Sequence, residues 1–255
     1  MTRDLLFREV SYMTFLFKNF QSHFGGLMIV LMLTMFGSAV PALLAFPSER
    51  PVFLREYSTN HYSVFSYFVS KLTMEALLTL AQSTLLVRYL NDSKLYCIAL
   101  SQNLVFLSQT AITYNMLDLQ QDYYTFIGIA YCLAMTSTAV AVMLGSLVEQ
   151  PQMAIEMLPL LFVPQFLFAG FFVATDLIPP VIRWAQYLCS MLYAIRLSLF
   201  YEFRDCTFST CQSLLSGNNV NGDDVWWYWL VLLTLFVTFR LLGLFFLRKK
   251  ATKFL

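Results

Sequence analysis

Charged side chains are scarce in this sequence of 255 residues. Asp, Glu, Lys and Arg make up 12% of it, about half the share that is usual in a soluble domain. Hydrophobic residues make up 58%, and a soluble domain of this size could not cover so much apolar surface with so few charges. Intrinsic disorder is excluded for the same reason, and a net charge of +1 gives no basic field for nucleic acid. The composition predicts an integral membrane protein.

Residues that commonly carry catalysis or bind metals are also few. Only two histidines occur, His23 and His61, and no CxxC or His-rich spacing suggests a metal site. An enzyme embedded in the membrane would need His, Asp or Glu clustered within its spans. Because both histidines lie near span ends, we predict no catalytic residue, no metal and no cofactor bound by this chain.

Five cysteines are present, three of them in apolar stretches (Cys97, Cys132 and Cys189). Cys206 and Cys211 flank a polar stretch just before a loop rich in Gly, Asn and Asp. A disulfide between them, if the loop faces an oxidising compartment, and two free thiols at a helix end are both compatible with this spacing.

Apolar stretches of about 20 residues predict membrane helices. The segments, which we name A to F, are Gly25–Phe46, Val64–Leu90, Leu95–Leu117, Tyr123–Val148, Met153–Val173 and Val225–Leu247. Segment B contains Lys71 and Glu75, and segment C is weakened by many polar residues. The region before segment A mixes charged with apolar residues and has no cleavage site, so it is not a signal peptide.

Lys and Arg indicate the orientation, because they accumulate on the cytoplasmic side. The C-terminal basic residues therefore place that end in the cytoplasm: Arg248, Lys249, Lys250 and Lys253. Arg50 and Arg55 place the linker between segments A and B there as well. Both assignments hold only if segment C does not cross the membrane. We therefore predict that segment C is non-spanning.

A helix break is predicted after segment E, because Pro179 and Pro180 follow each other. Residues 182–199 then read as a short amphipathic helix, with Trp184, Tyr187 and Tyr193 at the level of the membrane surface. This pattern indicates a re-entrant or interfacial element on the outer side.

Three blocks of sequence carry a family resemblance. The first reads ERPVFLREY over residues 49–57 and YSVFSYFVSK over 62–71. The second reads FAGFFV over 168–173 and continues with Ile178-Pro179, Trp184, Tyr187 and Tyr201-Glu202-Phe203. The third runs from Phe239-Arg240 to Arg248. In this order, from about residue 25 to the C-terminus, the blocks resemble the membrane domain of the G subfamily of ABC transporters (the white and pleiotropic drug resistance type).

The resemblance implies an all-α, polytopic membrane bundle of about five to six transmembrane helices, with a re-entrant or interfacial helix after the fifth family helix. It implies a homodimer, or a heterodimer with another G-type half, that exports lipids, sterols or hydrophobic compounds by alternating access. ATP and Mg²⁺ would bind to nucleotide-binding domains, on another chain or in a fuller gene product. Membrane lipids are expected partners, in the plasma membrane or an endomembrane, and nucleic acid is not.

The sequence departs from the family pattern in three places. It contains no GxxxxGK[ST] motif, and none of its nine glycines precedes a lysine, so the loop that cradles phosphates is absent from it. Residues 1–24 are expected to be a truncated first helix or an amphipathic segment before the transmembrane domain at 25–255. Residues 83–108 look inserted, which agrees with the argument from orientation.

Charged residues at the predicted cytoplasmic face are candidates for coupling to a nucleotide-binding domain: Glu49, Arg50, Arg55, Glu56 and Glu149. The resemblance favours this role. From the residues alone, a solvated interfacial helix or turn is an equal or better explanation.

A gate and a substrate path are implied by the resemblance. Phe171 and Phe172 correspond to a hydrophobic plug, and Phe36, Met157 and Leu161 to the cavity wall, although core or lipid packing gives the same helical spacing. Lys71 and Glu75 lie four residues apart on one helix face and could form an intramembrane charge pair. A pair between Glu75 and a neighbouring helix is equally consistent with the sequence.

The alternative function is a truncated or regulatory membrane subunit that does not transport and that dimerises with full-length relatives. The lack of a phosphate-binding loop in this sequence favours it.

Overall fold

A computed structural model of the chain describes residues 2–59, 63–89, 122–148, 151–169, 183–204, 220 and 225–254, and these residues form helices and short connections without a β-strand. The α-helices are α1 (Thr2–Ser58), α2 (Val64–Tyr89), α3 (Tyr123–Leu147), α4 (Pro151–Phe168), α5 (Ser190–Glu202) and α6 (Val225–Phe254). A 3-10 helix, Arg183–Leu188, precedes α5. Segments A, B, D, E and F of the sequence correspond to α1, α2, α3, α4 and α6.

Among the described residues, three helices contain stretches long and apolar enough to cross a membrane: Phe24–Tyr57, Tyr124–Leu147 and Val225–Lys250. A shorter apolar stretch, Gln152–Phe168, lies in α4. The chain is therefore an all-α membrane bundle, as the sequence predicts. Segment C lies outside the described residues.

Helices α1, α3 and α6 run in the same direction. Ser38 of α1 meets Ser137 of α3, and eight residues further along both helices the ring of Phe46 lies against Gly145. The start of α6 packs at the start of α3, and Lys250 near the end of α6 donates a hydrogen bond to the carbonyl of Leu147 at the end of α3, at 2.7 Å. We call this common end of the three helices the Lys250 end.

Helix α2 runs against these three helices. Val64 clusters with Leu247 at the Lys250 end, and further along α2 the Ala76 carbonyl lies 3.5 Å from the hydroxyl of Tyr131, in the first half of α3. The end of α2 and the start of α3 therefore face the same side of the bundle.

Helix α3 is the centre of the bundle. In its most apolar stretch 72% of the residues are buried, against 28% in α6. Small residues, such as Ala134, Ala139, Ala141 and Gly145, allow its neighbours to approach closely. Most of the hydrophobic core lies around α3 and joins residues of α1, α4, α5 and α6.

Two local predictions are corrected by the structure. From the residues alone, the charged stretch after segment A reads as a solvated interfacial helix or turn, but α1 continues through Pro47 and Pro51 to Ser58. Burial of Phe53 against α2 stabilises this continuation. The predicted amphipathic helix near 182–199 is a 3-10 helix with exposed Trp184 and Tyr187, followed by α5, which is buried along most of its length and includes Tyr193.

Candidate functional site

The first candidate site is the contact between the end of α1 and the start of α2, which we call the α1–α2 junction (Phe46, Glu49, Phe53, Tyr67 and Lys71). The Glu49 carboxylate forms an ion pair with Lys71 and accepts a hydrogen bond from the Tyr67 hydroxyl at 3.2 Å. The Lys71 ammonium lies 5.4 Å from the centroid of the Phe46 ring. Phe53 stacks on Tyr67, with ring centroids 4.4 Å apart. A displacement of the end of α1 would therefore move α2 with it.

The other predicted coupling residues lie on the same extension of α1 or outside the described residues. Arg55 is exposed and Glu56 is half-buried, one turn beyond Phe53. Nothing is described of the Arg50 side chain or of Glu149. The proposed coupling role of these residues stays a prediction.

A second site lies deeper in the bundle, and we call it the polar layer (Ser38, Glu75, Ser137, Thr138 and Arg240). Arg240 of α6 is 4% exposed, and its Nη2 donates hydrogen bonds to Glu75 Oε2 at 2.5 Å and to Thr138 Oγ1 at 3.2 Å. The hydroxyls of Ser38 and Ser137 are 2.6 Å apart. Polar contacts in this layer thus tie α1 to α3, and join α2, α3 and α6.

The predicted pair between Lys71 and Glu75 is not formed. Lys71 pairs with Glu49 of α1, and Glu75 pairs with Arg240 of α6. The neighbouring helices supply a closer opposite charge to each residue than the next turn of α2 does. For Glu75, the alternative of an ion pair with a neighbouring helix is confirmed.

Sequence reasoning did not identify Arg240 as a site residue. A permanently charged residue in the middle of an apolar span needs a partner of opposite charge at similar depth. Glu75 was the natural candidate, and this signal could have predicted the pair.

The predicted path residues are divided between the core and the surface. Phe36 of α1 packs edge-on against Phe162 of α4, with ring centroids 5.3 Å apart, and Leu161 is half-buried against the same core. Met157 is 42% exposed, on the outward face of α4. The predicted gate residues, Phe171 and Phe172, lie outside the described residues.

Two buried hydrogen bonds, which we call the α4–α5 contact, join the end of α4 to the start of α5. Gln165 Oε1 accepts a hydrogen bond from the hydroxyl of Ser190 at 3.1 Å, and the Cys189 thiol donates to the Gln165 carbonyl at 3.0 Å. Burial raises the pKa of the Cys189 thiol to about 12, so this cysteine stays protonated at neutral pH. The possible disulfide of Cys206 with Cys211 falls outside the described residues.

The described residues bring no group of three or more His, Cys, Asp or Glu side chains together for a metal ion. What they do bring together is a charged contact at one end of an apolar bundle and an ion pair inside it. Such an arrangement can transmit movement between helices.

Comparison with known proteins gives a consistent result. A family model described as ABC-2 type transporter matches residues 5–88 and 96–203. The chain is 27% identical over 245 residues to Protein white of Drosophila melanogaster. This alignment covers 90% of the chain and 32% of the length of Protein white. It is 23% identical over 252 residues to ABC transporter G family member 1 of Dictyostelium discoideum (91% and 29%). With the broad substrate specificity ATP-binding cassette transporter ABCG2 of Rattus norvegicus the identity is 26% over 238 residues (83% and 33%). The chain spans about a third of the length of these relatives.

Proposed function

The chain belongs to the ABC-2 type transporter family, and from this membership we propose that it forms the membrane-spanning part of an ABC exporter. The observation that carries the proposal is the family match over residues 5–88 and 96–203. Apolar helices of the kind that such a part needs are present among the described residues.

The exporter would work by alternating access, driven by nucleotide-binding domains that hold ATP and Mg²⁺. These domains belong to another chain or to a fuller gene product, and the membrane part acts as a homodimer or as a heterodimer with another G-type half. The α1–α2 junction supports a coupling role, because its ion pair and stacked rings connect a charged helix end to the spans. Arg55 and Glu56, at the same end of α1, would contact the nucleotide-binding domain.

The substrate would be a lipid, a sterol or another hydrophobic compound. The exposed face of α4 offers apolar side chains of varied shape, including Met153, Met157 and Leu160, and Met adapts readily to different apolar ligands. Phe36 of α1 packs against the buried Phe162 of the same helix α4. We propose that the path runs along α1 and α4 and that Phe171 and Phe172 close it.

The proposal is tested in vesicles that contain this chain and a G-type half transporter with an intact ATP-binding domain. We expect ATP-dependent movement of a fluorescent lipid above that of vesicles without this chain. Arg55→Glu should lower lipid-stimulated ATPase roughly fivefold to tenfold, as expected for one lost charge-assisted contact. The control is Val52→Ala, which alters an exposed apolar residue on the same helix and should leave the rate unchanged.

The same experiment separates the transporter from the regulatory alternative. Co-purification of the two chains without any lipid movement would contradict transport and would favour a regulatory subunit. Equal ATPase rates in Arg55→Glu and in the parent would contradict the coupling role of Arg55 but would leave the proposed transport function standing.

A further inference from the structure

Arg196 is a charged residue on a helix that is otherwise buried in the bundle. Its neighbours on α5, Ile195 and Leu197, are buried, and Arg196 itself is half-buried. Its Nε atom is inaccessible and has no hydrogen-bond partner. Because an arginine is always charged, withdrawing its guanidinium from water is costly unless another group compensates the charge.

The described part of the chain offers little compensation. The guanidinium carbon lies 5.8 Å from the centroid of the Tyr228 ring, and cation–π attraction offsets only part of the lost hydration. No ion pair or hydrogen bond joins Arg196 to a described residue. Nε is the only guanidinium atom that is both buried and unpartnered, so the two Nη atoms reach the surface of the bundle.

Exposed aromatic side chains surround this part of the molecule. Trp226 and Trp227 at the start of α6 are 83% and 60% exposed, and Trp184 and Tyr187 of the 3-10 helix are exposed to a similar degree. Trp and Tyr concentrate at the level of the lipid headgroups. Since Tyr228 belongs to the same turn of α6 as these tryptophans, Arg196 lies at headgroup level, at the end of the bundle opposite to the Lys250 end.

We propose that Arg196 forms a binding site for the phosphate group of a phospholipid at this membrane surface. Phosphate is the anion that every phospholipid places at headgroup level. The planar guanidinium can donate two parallel hydrogen bonds to phosphate oxygens, and the Tyr228 ring lies beside it, 5.8 Å from its carbon atom. The lipid would bind whether or not the chain takes part in transport, so the site does not depend on the proposed function.

The first test counts the phospholipids that stay on the purified chain, by native mass spectrometry. Arg196→Gln should weaken retention of phosphatidylglycerol about tenfold, since a charge-assisted pair of hydrogen bonds is lost. Arg196→Lys, which keeps the charge without the fork, should give a smaller loss. Arg204→Gln is the matched control, because it removes the same charge from an exposed position just after the same helix. Equal retention by Arg196→Gln and Arg204→Gln would overturn the site.

Competition distinguishes a lipid from a free anion. Phosphatidylcholine should displace phosphatidylglycerol, whereas diacylglycerol, which has no phosphate, should not. Displacement by inorganic phosphate as effective as by phosphatidylcholine would overturn the assignment to a lipid.

A footprint on the unmutated protein covers the case in which Arg196→Gln fails to fold. Phenylglyoxal modifies accessible arginines, and peptide mass spectrometry reads Arg196 and Arg204 in the same sample. Phospholipid should slow modification of Arg196 by about threefold or more relative to diacylglycerol, with Arg204 unchanged. Equal modification of Arg196 in both lipids would contradict the proposal. This result is expected if the Arg196 guanidinium is instead bound by a carboxylate of this chain or by the transport substrate.

Discussion

The ion pair of Glu75 with Arg240 places two opposite charges inside an apolar bundle. Arg240 is 4% exposed, also contacts Thr138, and has its guanidinium 5.6 Å from the Phe236 ring. A buried charge is expensive when it is alone and roughly neutral when it is well paired. The pair therefore fixes how α2 and α6 align, while its net contribution to stability is small.

Removing one partner should cost far more than removing both. We expect Glu75→Gln or Arg240→Gln to destabilise the purified protein by about 3 kcal/mol, because the remaining charge is left unpaired. The double variant Glu75→Leu/Arg240→Met should recover most of this loss, as measured by thermal unfolding in detergent. Simple addition of the single effects in the double variant would show that the two charges do not interact.

Cys189 gives a second prediction at this scale. Its thiol is 1% exposed, and a pKa raised to about 12 leaves almost no thiolate at pH 7.5. In a variant that keeps Cys189 alone, N-ethylmaleimide should react at least about a hundredfold more slowly in membranes than after SDS denaturation, since only thiolate reacts. Rapid labelling in membranes would mean that the hydrogen bonds between α4 and α5 are broken and that Cys189 is accessible. Gln165→Ala, which removes the acceptor of the Ser190 hydrogen bond, should increase the rate.

The helices approach one another closely at glycine. A side chain at Gly145 of α3 would meet the Phe46 ring at 3.1 Å, whereas a side chain at Gly243 of α6 would meet the backbone of Met143 at 3.5 Å. Phe46 is itself buried, so its ring must shift within the core to admit a side chain at Gly145. The close contact at Gly145 thus determines the distance between α1 and α3.

Gly145→Val should separate α1 from α3. We expect a loss of about 2 kcal/mol, in the range found for overpacked cores, despite the helix propensity gained by replacing glycine. Gly25→Val is the control, because no atom lies within 4 Å of a Cβ added there, and it should be neutral. Fluorescence-detected size exclusion after heating measures both variants. A neutral Gly145→Val would show that Phe46 can move.

The whole molecule has two unlike ends. At the Lys250 end lie the α1–α2 junction and the basic residues that finish α6, and at the opposite end lie the exposed tryptophans and the 3-10 helix. Basic residues favour the cytoplasmic side and Trp and Tyr favour an interface. The bundle is therefore expected to place the Lys250 end in the cytoplasm.

Single cysteines in a background free of native cysteine test this orientation. In intact cells or sealed vesicles of known orientation, an impermeant maleimide should label Tyr124→Cys directly, and Thr59→Cys and Lys249→Cys only after permeabilisation. Tyr124 is 76% exposed, and Thr59 and Lys249 are exposed as well, so each site is reachable. Labelling of Thr59→Cys and Lys249→Cys from opposite sides would refute the common direction of α1 and α6.

The architecture was more predictable from the sequence than the pairing of side chains. Long apolar runs predict membrane helices, and the distribution of Lys and Arg predicts their directions. Both signals depend only on short stretches of sequence and on their interaction with the membrane. Glu75 and Arg240 are 165 positions apart, so their pairing depends on tertiary packing. The i, i+4 rule favoured Lys71 instead. Phe36 and Met157 had the same helical spacing, and only the packed bundle shows that Phe36 lies against Phe162 and that Met157 faces outward.

Because α1 is one continuous helix, a tilt at one of its ends is transmitted along its whole length. With a rise of 1.5 Å per residue, Glu56 lies roughly 27 Å along the axis from Ser38, where α1 touches Ser137. If that hydroxyl contact is the fulcrum, a tilt of roughly 10° swings the charged tip by about 5 Å, approximately one helical turn. A small displacement of Arg55 or Glu56 would then move the part of α1 on the other side of Ser38, near Ile29 and Leu33, by angstroms.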